Sequence, residues 1–91
     1  MVLDTSGLLA ILLDEPERRA FTEAFEFAES RSLSAASFVE VSIILEQRHG
    51  AEGVRALDRL LAAAGVTIVA VDVEQARIAR DAYQKYGKGR H

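Results

Sequence analysis

The segment Val66-Thr67-Ile68-Val69-Ala70-Val71 constrains this chain most, because it lies between two stretches of helical periodicity. Its β-branched content and near-continuous apolarity predict a central parallel strand covered on both faces. Gly65 closes the helix before it. After it, Asp72-Val73-Glu74-Gln75 is a capping-box pattern, with Asp72 at the cap and Gln75 three residues on. A strand entered from one helix and left into another belongs to a sheet built by crossover connections.

The rest of the chain repeats that alternation. Met1 to Leu3 reads as a short buried strand, and Asp4-Thr5-Ser6 supplies capping chemistry for a helix through Leu8, Leu9, Ile11, Leu12 and Leu13. Asp14-Glu15-Pro16 breaks it, and Pro16 suits the first position of a second helix running to about Ser30. Phe21, Ala24, Phe25 and Ala28 form that helix's apolar face. Arg31 to Leu33 is a strand by position more than by composition, because Ser34-Ala35-Ala36-Ser37 looks like another strand-to-helix junction. A third helix is predicted over roughly 35 to 49, with Gly50 as its stop, and a fourth to about Ala64 on a stripe of Val54, Leu57, Leu60 and Leu61. A fifth helix carries Ala76, Ile78, Ala79, Ala82 and Tyr83 and stops near Gly87. The order β-α-α-β-α-α-β-α predicts a single α/β domain over 1–91, a small parallel sheet flanked by helices. Three strands are few for this architecture, so the halt at Lys88-Gly89-Arg90-His91 is expected to be an interruption, with the last elements missing.

Composition narrows the function. The 91 residues contain no cysteine, which excludes disulfides and thiolate metal sites. No apolar run approaches the roughly 18 residues of a membrane span, and the N-terminus lacks a signal-peptide pattern, so a cytoplasmic location is expected. The net charge of −3 argues against coating nucleic acid by charge alone, although Lys85, Lys88 and Arg90 give a basic tail. Phosphate-loop, dinucleotide-glycine and Gly-x-Ser-x-Gly patterns are missing.

What remains is acidic. Ligands of open parallel sheets sit beyond the carboxyl ends of the strands, where Asp4, Glu40 and Asp72 fall. Asp4 is either a helix N-cap or a carboxylate freed for chemistry, since Thr5 and Ser6 can cap the same helix. Glu40 lies among Phe38, Val39, Val41, Ile43 and Ile44, which places it at a core edge or in a cleft unless it joins Gln47 and Ser37 on a solvent-facing stripe. A buried carboxylate needs a metal ion, a cation or hydrogen bonds. Early turns of the third helix put Glu40 near Asp4, and two such groups in an apolar cleft call for a cation between them; Mg²⁺ or Mn²⁺ suits oxygen ligands. The capping box accounts for Asp72, and His49 and His91 do not form a ligand pair by spacing.

The opening Val2-Leu3-Asp4-Thr5-Ser6-Gly7-Leu8-Leu9-Ala10, Glu15-Pro16 and Ser34-Ala35-Ala36-Ser37-Phe38-Val39-Glu40 resemble PIN-domain ribonucleases of the VapC toxin type. So do Ala76-Arg77-Ile78-Ala79-Arg80 and Tyr86-Gly87-Lys88-Gly89, and the resemblance covers essentially the whole chain. It implies a Mg²⁺- or Mn²⁺-dependent endoribonuclease, the toxin of a toxin–antitoxin pair, with Asp4 and Glu40 as catalytic metal ligands and Thr5 or Ser6 as the supporting hydroxyl. It further implies a homodimer and an antitoxin bound in the groove of the first, second and fourth helices. In that family a Gly-Asp segment beyond the Gly-Lys-Gly region completes the acidic set, so this chain is expected to hold half of it; Asp72 and Asp81 do not match its position. The competing reading is a non-catalytic, shortened PIN module that dimerises or binds an antitoxin. A receiver-like domain is more distant, since it needs an aspartate where the second strand ends in Leu33-Ser34.

Overall fold

The computed structural model describes residues 1–16 and 18–88. Gly89, Arg90 and His91, and with them part of the basic tail and of the Gly-Lys-Gly motif, lie outside the described residues. So do the side chains of Ala79, Ala82, Tyr83, Lys85 and Lys88. The elements run α1 (Thr5–Leu12), α2 (Arg18–Phe27), β1 (Ser32–Ser34), α3 (Ala35–Ala63), β2 (Thr67–Val69) and α4 (Val73–Lys88). Before α1, Val2 forms an isolated parallel bridge to Ser32. The expected β-α-α-β-α-α-β-α order is present except that its first strand is reduced to the Val2–Ser32 bridge, with Met1 and Val2 exposed and Leu3 alone buried, and α3 supplies two of its helices.

β1 and β2 are parallel, in the register Ser32↔Thr67, Leu33↔Ile68 and Ser34↔Val69. Ser32 also donates its N–H to the Met1 carbonyl (2.9 Å) and accepts from the Leu3 N–H (2.7 Å). The middle of the sheet is therefore Ser-Leu-Ser, and the β-branched run expected to be central is its edge. Ile68 is 43 % exposed and Val69 42 %, whereas Leu33 is 0 % exposed. Apolarity identifies a strand that wants cover. Which strand acquires neighbours on both sides is decided by backbone pairing, and a short polar strand pairs as well as an apolar one.

Both helix ends that precede a change of direction are closed by backbone geometry. α1 ends with Asp14 at φ 54°, and Glu15 N–H returns to the Ala10 carbonyl at 2.9 Å. α3 ends with Gly65 at φ 64°, with Gly65 N–H on Ala62 O (3.2 Å) and Val66 N–H on Leu61 O (3.0 Å). Both place a left-handed residue after the last helical turn and so satisfy otherwise unpaired carbonyls. Within α3, Gly50 adopts φ 60°, ψ −148°, a region open essentially only to glycine. The element is thus two helices in sequence, with the break at the residue expected to stop the third. The chain doubles back there, bringing the Gly53 backbone against the Leu45 carbonyl.

α2 stops at Phe27, three residues short of the expected Ser30. Arg31 takes up the Phe25 carbonyl, which a continued helix would pair with the Glu29 N–H. Its Nε donates to Phe25 O (2.7 Å) and its Nη1 to Ala64 O (3.1 Å), and the guanidinium carbon lies 4.7 Å from the centroid of the Phe25 ring. One cation thus ties the carbonyl-rich ends of α2 and α3 to the entry of β1, where positive charge is favoured.

The core joins Leu3, Leu8, Leu9, Phe25, Leu33, Val41, Ile44, Leu45, Leu57 and Leu61. Of the expected α2 face, Phe25 is buried, Phe21 and Ala28 are half-buried and Ala24 is exposed. Ile78 of α4 is exposed, and α4 lies against α3. Replacing Gly50 by Ala is expected to lower the unfolding free energy by about 1–3 kcal/mol, because a Cβ is strained at this φ/ψ whatever the surrounding space. Urea denaturation of the purified chain measures it, and an unchanged midpoint would refute the backbone argument.

Candidate active site

Parallel pairing at Ser32 brings the ends of Met1–Leu3 and β1 to the same side of the sheet, so α1 and α3 start side by side. Asp4 is the N-cap of α1, accepting from Gly7 N–H at 2.6 Å through Oδ1. Ser34 is the N-cap of α3, accepting from Ser37 N–H at 3.0 Å. Each cap answers the unpaired donors of a first helical turn. Thr5, the next residue after Asp4, then faces the second turn of α3.

Thr5 and Glu40 are buried together, at 8 % and 5 % exposure. The Thr5 hydroxyl donates to Glu40 Oε1 across 35 residues of sequence. Glu40 Oε2 is buried and has no hydrogen-bond partner among the described residues. Of the two readings open for Glu40, the solvent-facing stripe is excluded. A carboxylate with one oxygen held and the other unpartnered in an apolar surround is a costly arrangement that a bound cation would relieve.

Asp4 differs. It is exposed, and its cap uses Oδ1; a carboxylate has further lone pairs, so capping and ligation are compatible. It borders a small apolar hollow of about 50 Å³ with Leu3, Gly7, Leu8 and Phe21. Glu40 borders another, larger groove of about 410 Å³ between α3 and α4, with Val39, Ile43, Val71, Ala76 and Arg80. The side chain brought into contact with Glu40 is therefore that of Thr5, and Asp4 is adjacent through the backbone. Ser6, the other hydroxyl singled out, lies in the first turn of α1 and has an interaction partner of its own. Among the described residues no three acidic or imidazole side chains converge to hold a metal ion.

Asp72 behaves as the capping box requires. Gln75 N–H donates to Asp72 Oδ1 (2.8 Å) and Asp72 N–H donates to Gln75 Oε1 (3.1 Å), which commits it to the start of α4. Asp81 and His49 are exposed. Sequence reasoning missed Arg80 as part of the Glu40 groove. Its spacing of four from Ala76 places both on one face of a helix, but nothing in the sequence says which face meets α3.

The PIN domain model matches residues 1–90, and the chain belongs to the PIN domain family. Over all 91 residues it is 50 % identical to a protein of Mycolicibacterium smegmatis named Ribonuclease VapC, covering 70 % of that relative's length. It is 48 % identical to Ribonuclease VapC30 of Mycobacterium tuberculosis, again over 91 residues and 70 % of the relative. Ribonuclease VapC28 of the same species is 42 % identical over 89 residues, which are 98 % of this chain and 67 % of the relative. No described helix is long and apolar enough to cross a membrane.

The Thr5–Glu40 bond carries a direct test. Thr5→Val leaves a buried carboxylate with no donor and is expected to cost about 1–3 kcal/mol of stability, while Thr5→Ser, which keeps the hydroxyl, retains most of it. Equal stability of the Val and Ser variants in chemical denaturation would show that the bond contributes nothing.

Proposed function

We propose that this chain carries the catalytic centre of a metal-dependent endoribonuclease, the toxin of a toxin–antitoxin pair, with Asp4 and Glu40 as the metal-binding carboxylates. The observation that carries the reading is the buried, unpartnered Oε2 of Glu40. It suits an oxygen-preferring divalent cation, Mg²⁺ or Mn²⁺, which keeps several waters and needs few protein ligands. Such an ion supplies an activated water and charge stabilisation on a scissile phosphate. In this reading Glu40 and Asp4 would be the side chains that hold the ion. Thr5 fixes the rotamer of Glu40, and Ser6 supports the first turn of α1 beside Asp4. The names of the relatives support RNA as substrate and the VapC class of toxin.

A cognate antitoxin protein, a homodimer and a cytoplasmic location follow from the same family reading. The face of α1, α2 and the second half of α3 is the proposed antitoxin groove. A second reading, a non-catalytic PIN module that dimerises or binds an antitoxin, is favoured by the absence of a three-acid cluster among the described residues.

Cleavage of a labelled RNA in Mg²⁺ or Mn²⁺ separates the two. The nuclease reading expects cleavage that EDTA abolishes and that Glu40→Gln or Asp4→Asn reduces by about 100-fold or more, since metal stabilisation amounts to several kcal/mol and each 1.36 kcal/mol is tenfold in rate. Glu40→Gln removes a buried charge, so the metal-free variant should be at least as stable as the parent chain. Added Mg²⁺ or Mn²⁺ should raise the Tm of the parent chain and not that of the variant. Unaltered cleavage in both variants would sink the assignment, and no cleavage by the parent chain with any divalent ion would favour the module.

A further inference from the structure

The groove between α3 and α4 has an acid on one wall and a base on the other. Glu40 comes from α3 and Arg80 from α4, with Val39, Ile43, Val71 and Ala76 completing an apolar lining. We infer that Arg80 anchors a backbone phosphate of an RNA strand laid in this groove, beside the phosphodiester presented to Glu40. The inference rests on the nuclease reading above for its substrate and adds to it the residue that holds the strand.

Three observations carry it. First, Arg80 is uncommitted: it forms no ion pair with any described residue, whereas Arg18 pairs with Asp14, Arg55 with Glu52, and Arg31 is bound to main-chain carbonyls. Second, among the described residues it is the one cationic side chain lining the groove that Glu40 borders. A polyanion approaching Glu40 is repelled by it, so a strand in this groove needs positive charge on the facing wall. A guanidinium offers a planar donor fork that matches a phosphate's two free oxygens. Third, the lining is otherwise apolar. Among the described residues such a lining offers a phosphate no other side-chain donor, so the guanidinium is the group that can hold it.

The position of Arg80 also follows from the fold. Asp72 and Gln75 fix the start of α4 through their reciprocal hydrogen bonds. Ala76 and Arg80 then lie one turn apart on the same helix face. Ala76 is small enough to let α4 approach α3, and Arg80 lines the same groove one turn further along.

The test uses the parent chain, Arg80→Ala and Arg80→Lys. Binding of a fluorescent single-stranded RNA is measured in EDTA at several salt concentrations, and cleavage in Mg²⁺ or Mn²⁺. A phosphate anchor predicts that Arg80→Ala weakens binding by about tenfold and lowers the slope of log K against log salt by about 0.7, the value for one phosphate contact on a single strand. Arg80→Lys should keep the slope and lose part of the affinity, because it retains the charge without the fork. In cleavage, KM rises in Arg80→Ala while kcat stays within about twofold. An Arg80→Ala chain with the parental affinity and salt slope overturns the anchor, and if the parent still cleaves RNA the nuclease reading stands without it. RNA binding that depends on Arg80 in a parent chain unable to cleave supports the anchor and removes the nuclease. A parent chain that binds no RNA overturns the anchor outright.

Discussion

The strand around Ser32 is paired on both sides, through Ser32 to Met1 and Leu3 and through the Arg31 carbonyl to the Thr67 N–H, and the candidate site depends on it. The Ser32 N–H and carbonyl take up Met1 and Leu3, while the β1 register sets Ser32 against Thr67. Because both pairings are parallel, every strand leaves the sheet in the same direction and every following helix begins at the same edge. That alone makes Thr5 and Glu40 neighbours. A slip of one residue between Val2 and Ser32 would turn Leu3 out of the core and displace α1 relative to α3. Backbone register here is thus a requirement of the chemistry as much as of the sheet.

The arrangement contains an opposition that the apolar core has to sustain. Thr5 and Glu40 are buried on the same helices that carry Leu8, Val41 and Ile44 into the core, and that burial makes an unpartnered carboxylate oxygen costly. Structures tolerate such a cost where the surroundings over-determine the side chain. Here a hydroxyl from a helix start holds one oxygen, and two capped helix N-termini fix the backbone that carries both residues. The Arg31 clamp serves the same end from the far side, by tying α2 and α3 to the strand between them.

Much of this was legible in the sequence, for identifiable reasons. Helix starts and stops were read from residues whose local chemistry decides them: Asp4, Ser34, Gly50, Gly65 and the Asp72–Gln75 box all act where the pattern placed them. The burial of Glu40 was one of the two readings that its neighbours left open, and the structure decided it. Strand order was not, because Ser32-Leu33-Ser34 carries almost no compositional signal and owes its central place to main-chain pairing. The early end of α2 was hidden as well, since it depends on Arg31 reaching carbonyls of two helices that are distant in sequence. The Glu40 groove was half visible: the acid could be singled out on its own helix, but the arginine facing it depends on how α4 rotates against α3. That rotation is a tertiary choice with no local marker.

The reversal at Gly50 differs from the strand pairings in the span of chain it needs. It closes a helical hairpin between close neighbours, whereas the Thr5–Glu40 contact joins residues 35 apart and β1–β2 pairing spans a similar distance. Loop closure of that length carries an entropy that must be met before any contact rewards it, so local hairpins precede long-range parallel pairing in assembly. The two halves of α3 can therefore form before the site exists. The Glu40 carboxylate and the Thr5 hydroxyl that holds its Oε1 meet only once that long-range pairing is in place.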